Sequence, residues 1–449
     1  MESARWDGVS MESARWDGVA MECSCRNGVT MEGARRNGVT MESARWDGVA
    51  MECSCRNGIA IKDPLRKGVH YASCFHCCFH FWSFLFRPLD HDGADTLRPV
   101  EPVGVNGSEN IVVFGHPYGC SQLGEDHESS RTILADLVRH PNAGGVLVVG
   151  LGCENNGMDD FKKLVGPVDP SRVKFLVTQQ VEDEQEECLK LLRELRDTAS
   201  RSVRQPVPVS KLRIGLKCGG SDAFSGLTAN PLVGAVSDRL IARGGSAVLT
   251  EIPEAFGAET ILFNRCVSRD IFDLAVHLVN DFKNYFLSHG EPVGENPSPG
   301  NKAGGITTLE DKSLGCVQKG GRAPLTDVLR YGEQIRSNGL TLLEGPGNDI
   351  VAVTALAAAG CQMVIFTTGR GTPLGGAVPV VKIASNSALA AHKKSWIDFN
   401  AGELLEGVTM DQLSDQFFDE LLKIASGTPT CNERNGYRDF AIWKQGVTL

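Results

Sequence analysis

Short apolar runs alternate with amphipathic stretches from about residue 108 onward. The runs that predict strands lie at 110–115, 144–152, 173–178, 212–216 and 246–251. Stretches with helical periodicity separate several of them, as at 128–140 and 182–197. Because β and α segments alternate at this spacing, we predict an α/β fold in which mostly parallel sheets are covered by helices.

A segment rich in Gly and Pro, residues 290–316, interrupts this alternation. Strand patterns then resume at 340–345, 361–369 and 378–385, with a helical stretch at 348–360. The interruption is typical of a domain boundary or a long functional loop. We therefore predict two α/β units, a first catalytic domain at 108–300 and a second domain at 301–449.

The first 107 residues follow a different pattern. Residues 1–60 are six copies of a ten-residue unit with one Gly each. A period of ten fits neither a helix nor a strand, so we interpret the repeats as disordered. In the next segment, 70–90, the spacing of Cys74, Cys77 and His80 suits zinc, although a structural site usually needs a second ligand pair. The alternative is an apolar segment of an atypical N-terminus.

Composition narrows the classes of partner. The formal net charge of the 449 residues is -10, which argues against nucleic acid as the main partner. No uncharged apolar stretch reaches the ~18 residues of a membrane span, and no signal-peptide pattern precedes the α/β region. The 15 cysteines are mostly scattered singly, which is typical of a reducing compartment. We predict a cytoplasmic protein with no membrane partner.

Reactive side chains follow four of the five strands predicted in the first unit. In an open parallel sheet, ligands bind outside the carboxyl ends of the strands, so we expect these residues to share one edge. They are His116, Cys120 and His127; Cys153 and Glu154; Lys217, Cys218 and Asp222; and Glu251 and Glu254. Together they indicate a divalent-metal and acid/base site. Taken singly, a buried cysteine is usually a small hydrophobe and a glutamate after a strand is often a helix cap.

Other sequence motifs bear on which cofactor or ligand the protein binds. Neither G-x-G-x-x-G after the first strand nor a phosphate-binding P-loop is present, which argues against a nucleotide cofactor. The loop 366–379 offers hydroxyls, Arg370 and backbone N–H groups suited to a carboxylate or a polyhydroxylated chain. Asp349, Asp398 and Asn400 stand at further strand or loop ends, where they are either ligands or caps.

Several long motifs carry a resemblance to a known family. They are "GHPYGCSQLGEDH", "HPNAGGVLVVGLGCENN", "GLKCGGSDAFSGLTANP", "NPSPGNKAGGITTLEDKSLGCVQKGG", "LEGPGND", "FTTGRGTPLGG" and "WIDFNAGELLEG". From about residue 108 to about 425 the chain resembles the altronate dehydratase family of sugar-acid dehydratases. That family also contains galactarate dehydratase and the large subunit of sulfolactate sulfo-lyase, and the chain looks closest to the altronate enzymes.

The resemblance implies a hydro-lyase that converts D-altronate to 2-dehydro-3-deoxy-D-gluconate through a metal-stabilised enediolate. Iron(II) or manganese(II) is the metal it implies, and glycine near the strand end leaves room for a sugar acid. We expect the catalytic residues to be Lys217, His116, His127 and Asp222. The expected substrate-binding residues are Gly219, Gly220, Ser221, Asn230, Lys302, Thr368, Arg370, Thr372 and Asn400. The expected metal ligands are Cys120, Cys153, Glu154, Cys218, Glu251 and Glu254.

One departure from the family pattern leaves alternatives open. Full-length family members begin with a small β-rich domain expected to supply a histidine, and residues 1–107 show neither its pattern nor such a motif. A small β-rich partner subunit would then supply it, or the chain is a catalytically impaired homologue. A sulfolactate sulfo-lyase-like large subunit is the other alternative, and a homo-oligomer is compatible with each.

Overall fold

Two sheets and their covering helices make up the described part of the chain. The computed structural model describes residues 80–86, 111–120, 122–202 and 205–446, and for 80–86 only the strand itself. The predictions for the decapeptide repeats and for a zinc site at 70–90 lie outside the described residues, apart from that strand.

The first sheet has four strands and three helices. Its strands are β1 (His80–Phe86), β2 (Ile111–His116), β3 (Ala143–Gly150) and β4 (Val173–Val177). Its helices are α1 (Gly124–Val138), α2 (Met158–Val165) and α3 (Glu184–Ser200). The strand order is β2-β1-β3-β4, with β1 antiparallel to both neighbours and β3 parallel to β4. The prediction that this unit begins at residue 108 omitted β1, which the sheet includes.

The second sheet has seven strands, all parallel. They are β5 (Arg213–Cys218), β6 (Ser246–Leu249), β7 (Leu325–Leu329), β8 (Gly339–Leu343), β9 (Met363–Thr368), β10 (Val380–Ala384) and β11 (Phe399–Asn400). Their order across the sheet is β11-β10-β9-β5-β6-β8-β7. Because β5 and β6 lie in this sheet beside β8 and β9, residue 300 falls within one sheet. The change from one sheet to the other lies between residues 177 and 213.

Nine helices accompany the seven described strands. They are α4 (Ala229–Ala242), α5 (Glu259–Phe263), α6 (Arg269–Ser288), α7 (Pro299–Ala303), α8 (Leu309–Val317), α9 (Asp349–Ala358), α10 (Ser387–His392), α11 (Met410–Ala425) and α12 (Cys431–Arg434). Polar caps begin several of them: the side chain of Asn348 accepts the N–H of Val351 at α9, and that of Thr308 accepts the N–H of Asp311 at α8. No described helix has the length and apolar content needed to cross a bilayer.

The second sheet is buried on both faces. Side chains alternate between the faces of a strand, so Ile214 and Leu216 of β5 pack into one apolar cluster with α4 and α11. Val364 and Phe366 of β9 belong to the other cluster, which α9 and α1 share. Full burial of a Leu or Phe side chain is worth roughly 1.5–3 kcal/mol each. Strands buried on both faces have few polar positions, and Lys217 and Cys218, at the carboxyl end of β5, are two of them.

Candidate active site

The order of the second sheet defines where a ligand would bind. The chain proceeds from β5 toward β6 in one direction, while β9, β10 and β11 extend in the other, so the order reverses between β5 and β9. Ligands of doubly wound sheets bind outside the carboxyl ends of the strands at such a reversal. Here the loops after the two strands meet, because the N–H groups of Gly369 and Arg370 both donate to the carbonyl of Gly220 at 3.0 Å.

Two consecutive residues at the end of β5 point to opposite faces of the sheet. Lys217 lies on the face of Phe366, and Cys218 lies on the face of Leu216. Each is the centre of a charged group of side chains. We call Lys217, Glu251 and Asp349 the Lys217 cluster.

The Lys217 cluster is a buried ammonium group held by two carboxyl groups. Lys217 Nζ is 3.0 Å from Glu251 Oε1 and 2.5 Å from Asp349 Oδ1. The side chains of Lys217 and Glu251 are 0% and 2% exposed, whereas that of Asp349 is 35% exposed. Burial alone lowers the pKa of Lys217, but the two carboxyl groups outweigh it and raise that pKa above 10.5. A base with a lowered pKa, as the sequence suggested for Lys217, is not what this environment favours.

Glu251 is held in an unusual backbone conformation. Its φ of 67° lies in the left-handed region and is the one positive φ among the described non-glycine residues. The conformation directs the carboxyl group back to β5, where Oε2 accepts the N–H of Cys218 at 3.3 Å. Burial raises the pKa of Glu251 to about 8, although Lys217 opposes the shift. Backbone strain of this kind is typical of functional positions.

Gly219 makes room for Asp349. A Cβ atom at Gly219 would lie 2.6 Å from Phe366 Cζ and 2.7 Å from both carboxylate oxygens of Asp349. Any other residue would therefore displace the ring or the carboxylate. This is the close approach for which a glycine-rich strand end is needed, and here the approaching group is a side chain of the protein itself.

A second lysine lies on the same face. Lys382 of β10 and Lys217 of β5 both stand in register with Phe366 of β9, so the three side chains form one row across the sheet. Lys382 Nζ lies 3.2 Å from the centroid of the Phe366 ring and makes no hydrogen bond to the described residues. Burial, reinforced by the charge of Lys217, lowers the pKa of Lys382 well below 10.5.

The opposite face holds a larger buried group, which we call the Cys218 cluster: Cys218, Glu254, Cys316, Lys312 and Lys319. Cys218 Sγ lies 2.9 Å from Glu254 Oε2, 3.4 Å from Cys316 Sγ and 3.0 Å from Lys319 Nζ. Lys312 Nζ is 3.0 Å from Glu254 Oε1, and Lys319 Nζ is 3.4 Å from Glu254 Oε2. All five residues are buried.

The Cys316 thiol and the two lysines keep this cluster ionised. The hydrogen bond from Cys316, together with the charges of Lys312 and Lys319, lowers the pKa of Cys218 to about 6 despite its burial. Burial raises the pKa of Glu254, but the same two lysines outweigh that and hold it well below 4.5. The pKa of Cys316 is raised well above 9.0 by its hydrogen bond to Cys218 and by burial, so Cys316 remains a thiol and donates.

Three donor atoms in this cluster could hold a metal ion. Ligand atoms of Cys218, Glu254 and Cys316 lie within 4.8 Å of one another and form such a group among the described residues. Sulfur and carboxylate donors suit iron(II) or zinc better than manganese(II). However, two ammonium groups already contact Cys218 and Glu254, so the cluster carries no net negative charge. As arranged, these side chains do not fit a divalent cation, which would lie beside both ammonium groups.

Asp222 has a full set of hydrogen bonds. Its Oδ1 accepts the N–H of Ser225 at 3.0 Å and the hydroxyl groups of Ser225 and Ser385 at 2.9 and 2.7 Å. Its Oδ2 accepts the amide of Asn386 at 2.9 Å. These bonds connect the loop after β5 to the loop after β10. The geometry suits a residue that fixes the two loops rather than one that moves a proton.

The remaining predicted catalytic and metal residues belong to the first sheet. They do not join Cys218 and Glu254 in the group of donors, so the expectation of a single sheet edge was wrong. His116 is buried and accepts the N–H of Tyr118 at 3.1 Å, while Glu154 is buried and accepts the N–H of Gly152. Cys153 is exposed, and Cys120 and His127 are half-buried. The prediction failed because the residues after β2 and β3 follow strands of a different sheet.

The predicted substrate-binding residues divide by exposure. Ser221, Asn230 and Thr368 are buried and bonded: the Ser221 hydroxyl accepts Lys312 Nζ at 3.1 Å, Asn230 Oδ1 accepts the Thr367 hydroxyl at 2.7 Å, and Thr368 Oγ1 accepts the N–H of Gly371 at 2.9 Å. Asn400 caps a turn through the N–H of Gly402. Those exposed to solvent are Gly220, Lys302 and Arg370, and Thr372 is half-buried.

Sequence reasoning missed several members of the two clusters. Cys316, Lys312 and Lys319 were not among the expected site residues, and Asp349 was considered only as a cap or a ligand at a loop end. Lys312 and Cys316 are four residues apart on α8, which places them on one helix face. That spacing was the signal in the sequence that could have identified these two residues, but it does not indicate which strand this face of the helix packs against.

Comparisons with known proteins agree with this architecture. A family model described as "D-galactarate/Altronate dehydratase, C-terminal" matches residues 209–448. A second, described as "D-galactarate dehydratase/Altronate hydrolase, second domain", matches residues 71–200. The chain therefore belongs to the D-galactarate/altronate dehydratase family, a family of sugar-acid dehydratases.

Individual relatives refine this placement. The chain is 56% identical over 349 residues to altronate dehydratase of Escherichia coli (strain K12), covering 78% of this chain and 70% of that protein. It is 57% identical over 342 residues to altronate dehydratase of Bacillus subtilis (strain 168), covering 76% and 69%. The subunit beta of (2R)-sulfolactate sulfo-lyase from Chromohalobacter salexigens is 30% identical over 350 residues, covering 75% and 88%.

Proposed function

We propose that this protein is a hydro-lyase that removes water from a sugar acid, with D-altronate as substrate and 2-dehydro-3-deoxy-D-gluconate as product. The observation that carries the proposal is the 56–57% identity to two altronate dehydratases, against 30% for the sulfo-lyase subunit. The charged edge of the second sheet supplies groups of the kind that this chemistry needs. The eight cysteines within the described residues are all free, which favours the cytoplasm as the compartment of this protein.

The reaction needs a base, a charge-stabilising environment and a group that holds the substrate carboxylate. The proton next to a carboxylate is only weakly acidic, so the developing negative charge must be stabilised. Arg370 and Lys302 are exposed cations beside the loops of the reversal point, and Arg370 Nη1 donates to the carbonyl of Gly300 at 2.7 Å. We assign them to the substrate carboxylate, with Gly220 and Thr372 lining the crevice that lies outside the carboxyl ends of the strands at a reversal of this kind.

The chain's own cations replace a metal in this proposal. Iron(II) or manganese(II), which the family resemblance implies, would act as a Lewis acid on the developing enediolate when bound. Because the Cys218 cluster does not fit a divalent cation in its present arrangement, no step is assigned to a metal here. Arg370 and Lys302, which are exposed, supply positive charge there instead, while Lys217 Nζ, 2.5 Å from Asp349 Oδ1, holds that carboxylate.

Domain organisation and partners are part of the same proposal. We place the division between the two α/β parts between residues 200 and 209, where the two family matches meet. A small β-rich subunit that supplies a histidine is the partner we propose to test. We also propose His116 and His127 as acid/base residues.

The test is a substrate panel with two controls. The full-length chain is assayed anaerobically with D-altronate, other aldonates, aldarates and sulfolactate, with and without iron(II) and a candidate small subunit. We expect a 2-keto-3-deoxy acid from altronate. Sulfite release from sulfolactate without a keto-deoxy product from any aldonate would contradict the proposal. Lys217→Met serves as the active-site control, and Lys423→Met, on the exposed part of α11, as the surface control.

A further inference from the structure

Asp349 is the most exposed member of the two charged clusters. It is the first residue of α9, and its side chain is 35% exposed, against 0% for Lys217, 2% for Glu251 and 9% for Glu254. A sugar acid that enters the crevice from solvent can therefore reach the Asp349 carboxylate without any displacement of the buried groups. Lys217 cannot be reached in this way, since Glu251, Asp349 and Phe366 surround its ammonium group.

Its surroundings hold the carboxylate in one orientation. Lys217 Nζ binds Asp349 Oδ1, and the contacts among the described residues leave Oδ2 for a ligand. Asn348 caps the helix through the N–H of Val351, which fixes the backbone of the next residue, Asp349. Gly219 leaves the space that both carboxylate oxygens occupy. This is the arrangement of an oriented base: a reactive group in the crevice, held by a buried partner that is itself fixed.

We propose that Asp349 is the catalytic base of this dehydratase and that Lys217 is its positioning residue. The inference rests on the proposed function. Asp349 Oδ2 takes the proton from the carbon next to the substrate carboxylate, and the electron pair of that C–H bond forms the C=C bond. The neighbouring C–O bond breaks, and the hydroxyl leaves with the proton from Asp349 as water. The enol that remains then becomes the 2-keto-3-deoxy acid by moving its hydroxyl proton to carbon.

Other carboxylates at this edge are less suitable. Glu251 and Glu254 are buried and bonded to lysines, and the four hydrogen bonds to Asp222 occupy both of its oxygens. A base must come within hydrogen-bond reach of the proton it removes. Asp349, with a side chain that is 35% exposed, is the carboxylate of the two clusters that a substrate can approach from solvent.

The test compares Asp349→Asn with the wild type in the full-length chain. Asparagine keeps the shape and removes the basic oxygen, so we expect kcat to fall by on the order of 10²-fold or more. Substrate binding, measured by calorimetry, should be retained. Ser268→Ala is the matched control: it removes the cap of α6, a helix that contributes no residue to either cluster, so it should lower Tm and keep kcat far above that of Asp349→Asn.

A second variant separates catalysis from structure. Asp349→Ala opens space for a small carboxylate, and added formate should restore part of its turnover, an effect that a structural role would not produce. Wild-type kcat in Asp349→Asn, loss of substrate binding in that variant, or no rescue of Asp349→Ala by formate would each overturn the inference. If the wild type dehydrates no sugar acid, both the proposed function and this inference are wrong. If only Asp349 proves dispensable, the proposed function stands.

Discussion

The two faces of β5 solve the same problem of buried charge in different ways. On one face, the ammonium group of Lys217 meets two carboxyl groups, and that of Asp349 is partly exposed to solvent. On the other, two ammonium groups meet one carboxylate and one low-pKa cysteine, and all of these groups are buried. The Lys217 cluster is therefore open to a ligand, and the Cys218 cluster is closed.

This difference assigns the two clusters different tasks. Charges removed from water cost several kcal/mol each, and a buried group that loses its partner is strongly destabilising. Each charged group of the closed cluster needs its partner for the fold to be stable, so substitutions there should affect stability first. The open cluster keeps one carboxylate at the crevice, so its substitutions should affect turnover first.

The largest expected effect is on the closed side. Glu254→Gln leaves Lys312 and Lys319 with no carboxylate, and we expect the free energy of unfolding to fall by about 3–5 kcal/mol, as for other broken buried pairs. Urea unfolding measures it. Glu420→Gln, which removes a solvent-exposed pair with Lys423, is the control and should cost about 0–1 kcal/mol. Equal losses in the two variants would show that the Cys218 cluster is not held by these charges.

Turnover should change most on the open side. Lys217→Met keeps the length of the side chain and removes the charge that fixes Asp349, so kcat should fall by on the order of 10²-fold or more. Lys319→Met makes the same change in the closed cluster and should reduce stability more than it reduces turnover of the folded enzyme. If the two variants lose turnover equally, the distinction between an open and a closed cluster is wrong.

The clusters should also depend on pH with opposite sign. The pKa of Glu251, about 8, lies above its ordinary 4.5, so its contribution to stability is full below pH 4.5 and is lost as the pH rises through 8. The pKa of Cys218, about 6, lies below its ordinary 9.0, so its contribution is full above pH 9.0 and is lost as the pH falls through 6.

Between pH 6 and 8 these two contributions oppose each other. Glu251→Gln should make stability rise with pH across this window, and Cys218→Ser should make it fall, each by about 2 kcal/mol, since one titrating group changes stability by at most about 1.4 kcal/mol per pH unit. Denaturant midpoints at several pH values test both. A parallel slope in the two variants would contradict the assignment of either group.

Much of the fold could be predicted because periodicity is a local property. The pattern at 173–178 gave β4 to within one residue, and that at 348–360 gave α9. Which strands share a sheet is a long-range property, and it was missed: a Gly- and Pro-rich segment at 290–316 resembles a boundary but lies within the unit of the second sheet. Strand β1 was also missed, since its aromatic and histidine content obscured the strand pattern.

The candidate site was predicted in part, because the order of the strands brings some of its residues together but does not identify their partners. Lys217 and Cys218 end β5, and Glu251 and Glu254 follow the adjacent parallel strand β6, so their proximity follows from topology. Which residues pair could not be derived, because Lys217 and Cys218 lie on opposite faces and their partners come from helices far along the chain. Asp349 depends on the packing of α9, for which the sequence offers only a helix cap.

The smallest expected effect concerns the thiol pair and tests what keeps Cys218 ionised. Cys316 is the leading cause of the lowered Cys218 pKa, so Cys316→Ala should raise that pKa, while Cys316→Ser keeps a donor and should leave it below 9.0. The stability cost should be about 1 kcal/mol, since S–H is a weak donor. Thiolate ultraviolet absorbance against pH, with Cys218→Ser subtracted as the blank, measures the pKa. An unchanged titration in Cys316→Ala would mean that the charges of Lys312 and Lys319 alone stabilise the Cys218 thiolate.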